Sequence, residues 1–133
     1  MQIKELPAVD MAVILPLYAS VGWTNYTDRP QMLRAALDNS LLTLGAYDGD
    51  KLVGLVRAVG DGYSVVFVQD ILVLPEYQRR GIGTALLRAV KDRYPDVYQL
   101  ELMTDNTEKT VAFYRSLGLT PAEEIGCRAF LKM

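Results

Sequence analysis

The chain reads as an α+β fold around a mixed sheet, and three features of its sequence predict this. The turn residues Asp48-Gly49-Asp50 separate two apolar runs of strand character, the mark of an antiparallel hairpin. A further apolar run, SVVFVQDILVLP, follows the turn Gly60-Asp61-Gly62 and adds another strand to that meander. The apolar spacing then becomes helical at Ile82, Ala85, Leu86, Ala89 and Val90, and returns to alternation from Val97 to Met103. Strand, helix and strand in that order make a β-α-β crossover, which mixes the strand directions of the sheet.

The remaining elements follow in chain order. Gln2 to Leu6 makes a short first strand, ended by Pro7. Asp10 can cap a helix reaching about Ser20, with Pro16 expected to kink or delay it. The stretch VGWTNYTDRP is rich in aromatic and turn-forming residues, and Asp28 followed by Pro30 starts a second helix through about Leu37. Leu41 to Tyr47 and Lys51 to Val59 are the hairpin strands, and the strand after them is ended by Pro75. Residues 81 to 93 form an amphipathic helix, and Thr107 to Leu117 a shorter one stopped by Gly118. The tail, with Arg128 to Lys132, is expected to supply one or two last strands.

A length of 133 residues without repeat, low-complexity tract or linker argues for a single domain over 1–133. The net charge of -2 provides no global cationic field, so nucleic acid is not an expected partner. Cys127 stands alone, which rules out an intrachain disulfide and suits a reducing compartment. No histidine occurs, so Ser-His-Asp and Cys-His catalysis are excluded, and too few ligands remain for a zinc site. Acid–base chemistry falls to carboxylates, tyrosine, lysine or water, and no metal is expected. The stretch MQIKELPAVD is too polar for a signal peptide, and the run from Met11 to Leu17 is short and broken by Pro16. A cytoplasmic protein without a membrane partner is the expectation.

The stretch QRRGIGTALL, residues 78 to 87, carries the most chemical information. Backbone N–H groups at a helix start lack intrahelical partners, and the dipole adds partial positive charge. Gly81 and Gly83 clear the backbone for a ligand, Gln78, Arg79 and Arg80 add donors and charge, and the Thr84 hydroxyl lies in the first turn. Together they suit a pyrophosphate. The spacing is neither a Walker A loop nor G-x-G-x-x-G. The plainer alternative is a glycine turn with solvated arginines in a structural domain that binds nothing.

With its flanks, the segment VLPEYQRRGIGTALL resembles the acetyl-CoA-binding motif of the GNAT family of N-acetyltransferases. Gln78, Gly81 and Gly83 fill the signature Q/R-x-x-G-x-G/A. The segment FYRSLGL, residues 113 to 119, is similar to the family's closing helix, in which a tyrosine sits beside the cofactor sulfur. The resemblance covers roughly residues 41 to 120. It is strongest to small bacterial members and to plant chloroplast members that share a VGW segment and an aspartate before the last cofactor strand.

The resemblance implies a GNAT-like, mostly antiparallel central sheet flanked by helices, with a splayed parallel strand pair at the cofactor site. It implies acetyl-CoA as co-substrate, with the backbone of Leu72, Val73 and Leu74 on the pantetheine arm and residues 78–84, Ile82 included, on the pyrophosphate. The N–H of Val73 would polarise the acetyl carbonyl. Tyr114 becomes the general acid for the departing thiolate. Asp70 and Gln69 interrupt an apolar strand, where an unpaired polar group is costly. Asp70 could serve the amine as base or attract its ammonium, or it could tie down a neighbouring loop, with Asp105 and Glu101 as weaker alternatives for the base. Many relatives carry an asparagine seven residues before the tyrosine; here that position is Thr107, with Asn106 beside it, so either a one-residue shift to Asn106 or Thr107 itself would make that contact.

Trp23 and Tyr26, with Tyr18 nearby, lie where the family lines its acceptor site. They could stack on an apolar or cationic amine, or could pack the loop onto the sheet. The implied reaction is direct transfer to a primary amine, either a small molecule or a protein lysine or N-terminus. A non-catalytic acyl-CoA-binding or sensing domain is the alternative, and family members often pair as homodimers through their last strands.

Overall fold

One sheet of five strands organises the computed structural model, which describes residues 1–133. In spatial order the strands are β1 (Gln2–Glu5), β2 (Leu42–Asp48), β3 (Lys51–Gly60), β4 (Val65–Val73) and β5 (Gln99–Leu102). The first three pairings are antiparallel and β4–β5 is parallel. The mixed, mostly antiparallel sheet expected from the sequence is therefore present. The helices are α1 (Met11–Ser20), α2 (Thr24–Thr27), α3 (Pro30–Asp38), α4 (Ile82–Arg93) and α5 (Glu108–Ser116). The chain divides into two compact units, Met1–Leu102 and Met103–Met133.

In the first unit, local chemistry sets most boundaries. The Asp10 carboxylate accepts the N–H of Ala12 at 3.1 Å and caps α1. The helix runs on through Pro16 rather than stopping there, because the proline sits on the exposed face, where solvent can reach the carbonyl left unpaired one turn earlier. Pro30 occupies the first turn of α3, a place where its missing N–H costs nothing. The short helix α2 lies inside the segment read as a turn, held by bonds from Tyr26 and Thr27 to the Trp23 carbonyl. Between β2 and β3 the Asp48–Lys51 pair closes the hairpin, with Gly49 at φ 61° in the turn. Between β3 and β4 one Asp61 oxygen accepts the N–H groups of Tyr63, Ser64 and Val65. The Ser64 hydroxyl, which donates to the other Asp61 oxygen, and then these backbone bonds hold that carboxyl well below the usual carboxylate range.

The strand β3 is buried along most of its length, with helices on both sides. One layer joins Leu55 and Leu72 to Ile14, Leu17, Tyr18, Leu33 and Leu37 of α1 and α3. On the other side, a Cβ added at Gly54 would stand 3.2 Å from Ile82 and 3.3 Å from Leu86. Leu55 and Gly54 are neighbours in a strand and so point to opposite faces, which puts α4 across the sheet from α1 and α3. Glycine at 54 is what lets the start of α4 press against the sheet. Each fully buried leucine in these layers contributes about 1.5–3 kcal/mol.

The second unit holds α5 and a 3₁₀ turn, Ala122–Ile125. Thr107 caps α5, its hydroxyl accepting the N–H of Thr110 at 3.2 Å. At the other end Leu119 N–H bonds the Tyr114 carbonyl and Gly118 N–H the Arg115 carbonyl, a Schellman closure. The tail corrects an expectation, since no strand forms beyond β5. Pro121 leads into the 3₁₀ turn, Gly126 ends it at φ 80°, and no backbone N–H from Arg128 onward has a carbonyl partner. Strand propensity without a ladder partner does not make a strand.

Candidate active site

The strand β4 changes partners partway along. Its ladder with β5 stops at Val68–Leu102, while Asp70 to Val73 continue in register with β3 alone. At the change, the register passes from Ala58–Val68 to Arg57–Asp70 and leaves Gln69 as a bulge. Beyond the bulge β4 has one paired edge and one open edge. Leu74 N–H bonds the Val53 carbonyl at 2.9 Å, so the neighbouring pair Gly54–Val73 belongs to the alternate, non-bonded set. The peptide groups of Val73 and Ile71 consequently face the open edge. A free strand edge can take an extended chain bearing amides.

The open edge leads directly into the glycine turn. Arg79 stands at φ 64° and Gly81 at φ 81°, both left-handed, and α4 begins at the next residue. None of the consecutive backbone N–H groups from Arg79 to Thr84 donates to a backbone carbonyl. Alternating handedness gathers such groups into a concave anion cradle, and the helix dipole adds to the same charge. The space above Gly81 is open, with nothing within 4 Å of a Cβ built there.

Side chains brace this turn from below. The Gln78 amide donates to the Val73 carbonyl at 3.1 Å, tying the turn to the end of β4. The Tyr77 hydroxyl donates to Asp48 at 2.7 Å, and the Arg80 guanidinium lies 4.9 Å over the Tyr77 ring. Leu72, Val73, Leu74, Gln78, Arg79, Arg80, Gly81, Ile82, Gly83 and Thr84 thus run from the end of β4 through the turn into the start of α4.

A second cluster lies on the α1–α2 side of the bulge. Asp70, only 2% exposed, accepts hydrogen bonds from the Tyr18 hydroxyl at 2.9 Å, the Tyr26 hydroxyl at 2.7 Å and Arg57 Nε at 2.7 Å. Arg57, 5% exposed, also donates to the Tyr26 hydroxyl at 3.2 Å and to Ser40 Oγ at 3.3 Å. Every buried polar side-chain atom has a partner. Burial first, and then the Asp70 carboxylate, push the Tyr18 and Tyr26 phenols above their ordinary range. The rings of Tyr18 and Tyr26 meet edge to face at 5.2 Å, and Trp23 stands 5.9 Å from Tyr18 with part of its surface open. Trp23, Tyr26 and Asp70 are therefore brought together. Arg57 is the residue that reading the sequence missed, although it interrupts the apolar run LVGLVRAV in β3 just as Asp70 interrupts β4.

In the second unit, Tyr114 lies half-buried on α5, its ring 4.9 Å from that of Phe113. Burial raises its phenol above the ordinary value, a hydrogen bond with Thr104 opposes the shift, and Asp105 adds to it. The Thr107 hydroxyl is engaged in capping, while Asn106 beside it is exposed.

This fold and this turn match a known family. The model of the acetyltransferase (GNAT) family covers residues 9–119. The chain belongs to the GNAT family of acetyltransferases. A GNAT-family acetyltransferase of Streptococcus pneumoniae TIGR4 is 45% identical, with a TM-score of 0.90, over 99% of this chain and 96% of that one. An uncharacterized ycf52-like N-acetyltransferase of Prochlorococcus marinus is 32% identical over 88% of this chain and 66% of its own length. The chloroplastic GCN5-related N-acetyltransferase 2 of Arabidopsis thaliana is also 32% identical, over 83% of this chain and 50% of its own length. The chain thus spans about half to two-thirds of these curated relatives. No helix is long and apolar enough to cross a membrane.

Proposed function

We propose that the protein is an acetyl-CoA-dependent N-acetyltransferase that moves the acetyl group to a primary amine by direct attack. The observation that carries this is the unbroken run of unpaired N–H groups from Arg79 to Thr84 at the end of an open strand edge. Donors gathered in the open and bonded to no backbone carbonyl are available to a charged ligand, and their concavity suits a pyrophosphate. The residues fit the co-substrate. Backbone donors, Arg79 and Arg80 hold the phosphates, the Leu72–Leu74 edge holds the amide-bearing arm, and the Val73 N–H serves the acetyl carbonyl. What acetyl-CoA supplies is an activated thioester.

The amine nitrogen forms the new bond to the acetyl carbon as the carbon–sulfur bond breaks; the sulfur takes a proton and the amine gives one up. We assign the proton donor to Tyr114, whose raised phenol stays loaded at neutral pH. Donation from this phenol to the departing thiolate runs uphill, and the proton given up by the acylated nitrogen, which is far more acidic, returns to the phenolate and balances the step. Asn106 is assigned to the arm of the co-substrate. Saturation by its hydrogen bonds favours the tethering role for Asp70 over proton abstraction. Trp23 and Tyr26 are assigned to the acceptor side, where an aromatic surface suits an apolar or cationic amine, from a small molecule or a protein. The family model crosses both units, which supports reading residues 1–133 as one domain. The proposal extends to a cytoplasmic enzyme, without metal, that can pair as a homodimer.

Thermal denaturation with millimolar acetyl-CoA tests the first half. Stabilisation is expected, and its absence sinks the proposal. Thiol release over a panel of amines tests the second half, and stabilisation without release from any amine would leave an acyl-CoA-binding domain instead.

A further inference from the structure

The buried set Asp70, Arg57, Tyr18 and Tyr26 is not explained by stability. Replacing a buried ion pair by apolar residues of similar volume is often neutral or favourable, so a pair retained in an apolar layer points to orientation. Its connections indicate what is oriented. Arg57 comes from β3, Asp70 from β4, Tyr18 from α1 and Tyr26 from α2, and Ser40, bonded to the Ala36 carbonyl at 2.7 Å, adds α3. The set adjoins Gln69, the bulge residue next to Asp70 in β4. It therefore joins the aromatic side of α1 and α2 to the point where β4 opens its edge.

We propose that Arg57 is the positioning residue of the acceptor side. Its planar fork, with Nε on Asp70 and one terminal nitrogen on the Tyr26 hydroxyl, fixes both phenols and through their rings sets Trp23. Trp23 is the member of this group with accessible surface, so its orientation decides which amines are held. The inference rests on the N-acetyltransferase reading above for its kinetic consequences and stands apart from it for its structural ones.

Trp23 is the sole tryptophan, so its fluorescence reports this surface directly. Two variants separate positioning from folding. Arg57→Lys keeps the charge and loses the fork; Arg57→Met with Asp70→Leu removes the pair without leaving a lone buried charge. Both are expected to melt cooperatively, to bind acetyl-CoA within about twofold of wild type, and to red-shift Trp23 emission with greater acrylamide quenching. The acceptor KM should rise roughly tenfold in the double variant and less in Arg57→Lys, with the alkaline and acid limbs of the pH profile unmoved. Unchanged Trp23 emission and quenching in a folded double variant overturns the proposal. So does a loss confined to kcat with a displaced pH limb, which would make Asp70 the base. If wild type transfers to no amine, the enzymatic reading fails, and the Trp23 spectra alone then decide whether Arg57 positions that surface. If the double variant does not fold, Arg57→Lys carries both measurements.

Discussion

Two polar regions of the first unit handle their hydrogen bonds in opposite ways. From Arg79 to Thr84 backbone donors stand together without acceptors, in the open, beside two exposed arginines. Around Asp70 the donors and acceptors are side chains, buried and paired to the last atom. The difference separates groups kept for a ligand from groups used on the protein itself. A donor left free in water loses little when nothing is bound and gains a charged partner when something is. A carboxylate sealed from water has to be satisfied internally, and once satisfied it has little capacity left for a substrate.

Four changes break or sharpen that contrast. The largest effect is expected from Arg57→Met, which leaves Asp70 as a lone buried charge and should lower the unfolding free energy by about 3–5 kcal/mol in urea titrations. A loss below about 1 kcal/mol would mean that the set is looser than its distances imply. Tyr114→Phe comes next, with turnover falling about a hundredfold and co-substrate affinity little changed. Because burial holds the phenol above the ordinary value near ~10, the wild-type rate should show no Tyr114 limb below that pH. A near wild-type rate for the variant at every pH would reduce Tyr114 to packing.

Gly81→Val attacks the open region. At φ 81° a β-branched residue is strained by roughly 1–2 kcal/mol, and relaxing that strain disperses the cradle. Affinity for acetyl-CoA should fall at least about tenfold in calorimetric titration, while circular dichroism stays native. The smallest effect concerns pH. Tyr18 and Tyr26 have raised folded-state values, so their contribution is complete below the ordinary phenol range, near ~10, and is lost as pH rises above it. Thermal melts should therefore decline faster above that pH in wild type than in Tyr18→Phe, and parallel declines would remove Tyr18 from the account.

Much of this was legible in the residues. The hairpin at Asp48–Lys51, the Asp10 cap and the glycine turn are short-range events, governed by residues only a few positions apart. The resemblance carried by Gln78, Gly81 and Gly83 led to the family. Other features were not legible because they are made by partners far apart in the chain. Arg57 and Asp70 could be seen to interrupt apolar strands, but their pairing depends on the register of β3 against β4, and that register passes through a bulge at Gln69. Asp70 meets Tyr18 across 52 residues and Tyr26 across 44, contacts that no local pattern encodes. The tail failed for the complementary reason, since its strand character is local whereas a ladder partner is not.

By itself, then, the sequence determined the hairpin turns of the meander, the strand–helix–strand order that follows them and the turn that gathers free donors, because backbone geometry and hydrogen bonding act over a few residues. Only the tertiary structure decided that β4 has an open edge beyond Val68, that Val73 turns its peptide toward that edge, and that Asp70 is already committed to Arg57 and two phenols. Those facts follow from register and burial, which exist only once distant strands and helices have packed.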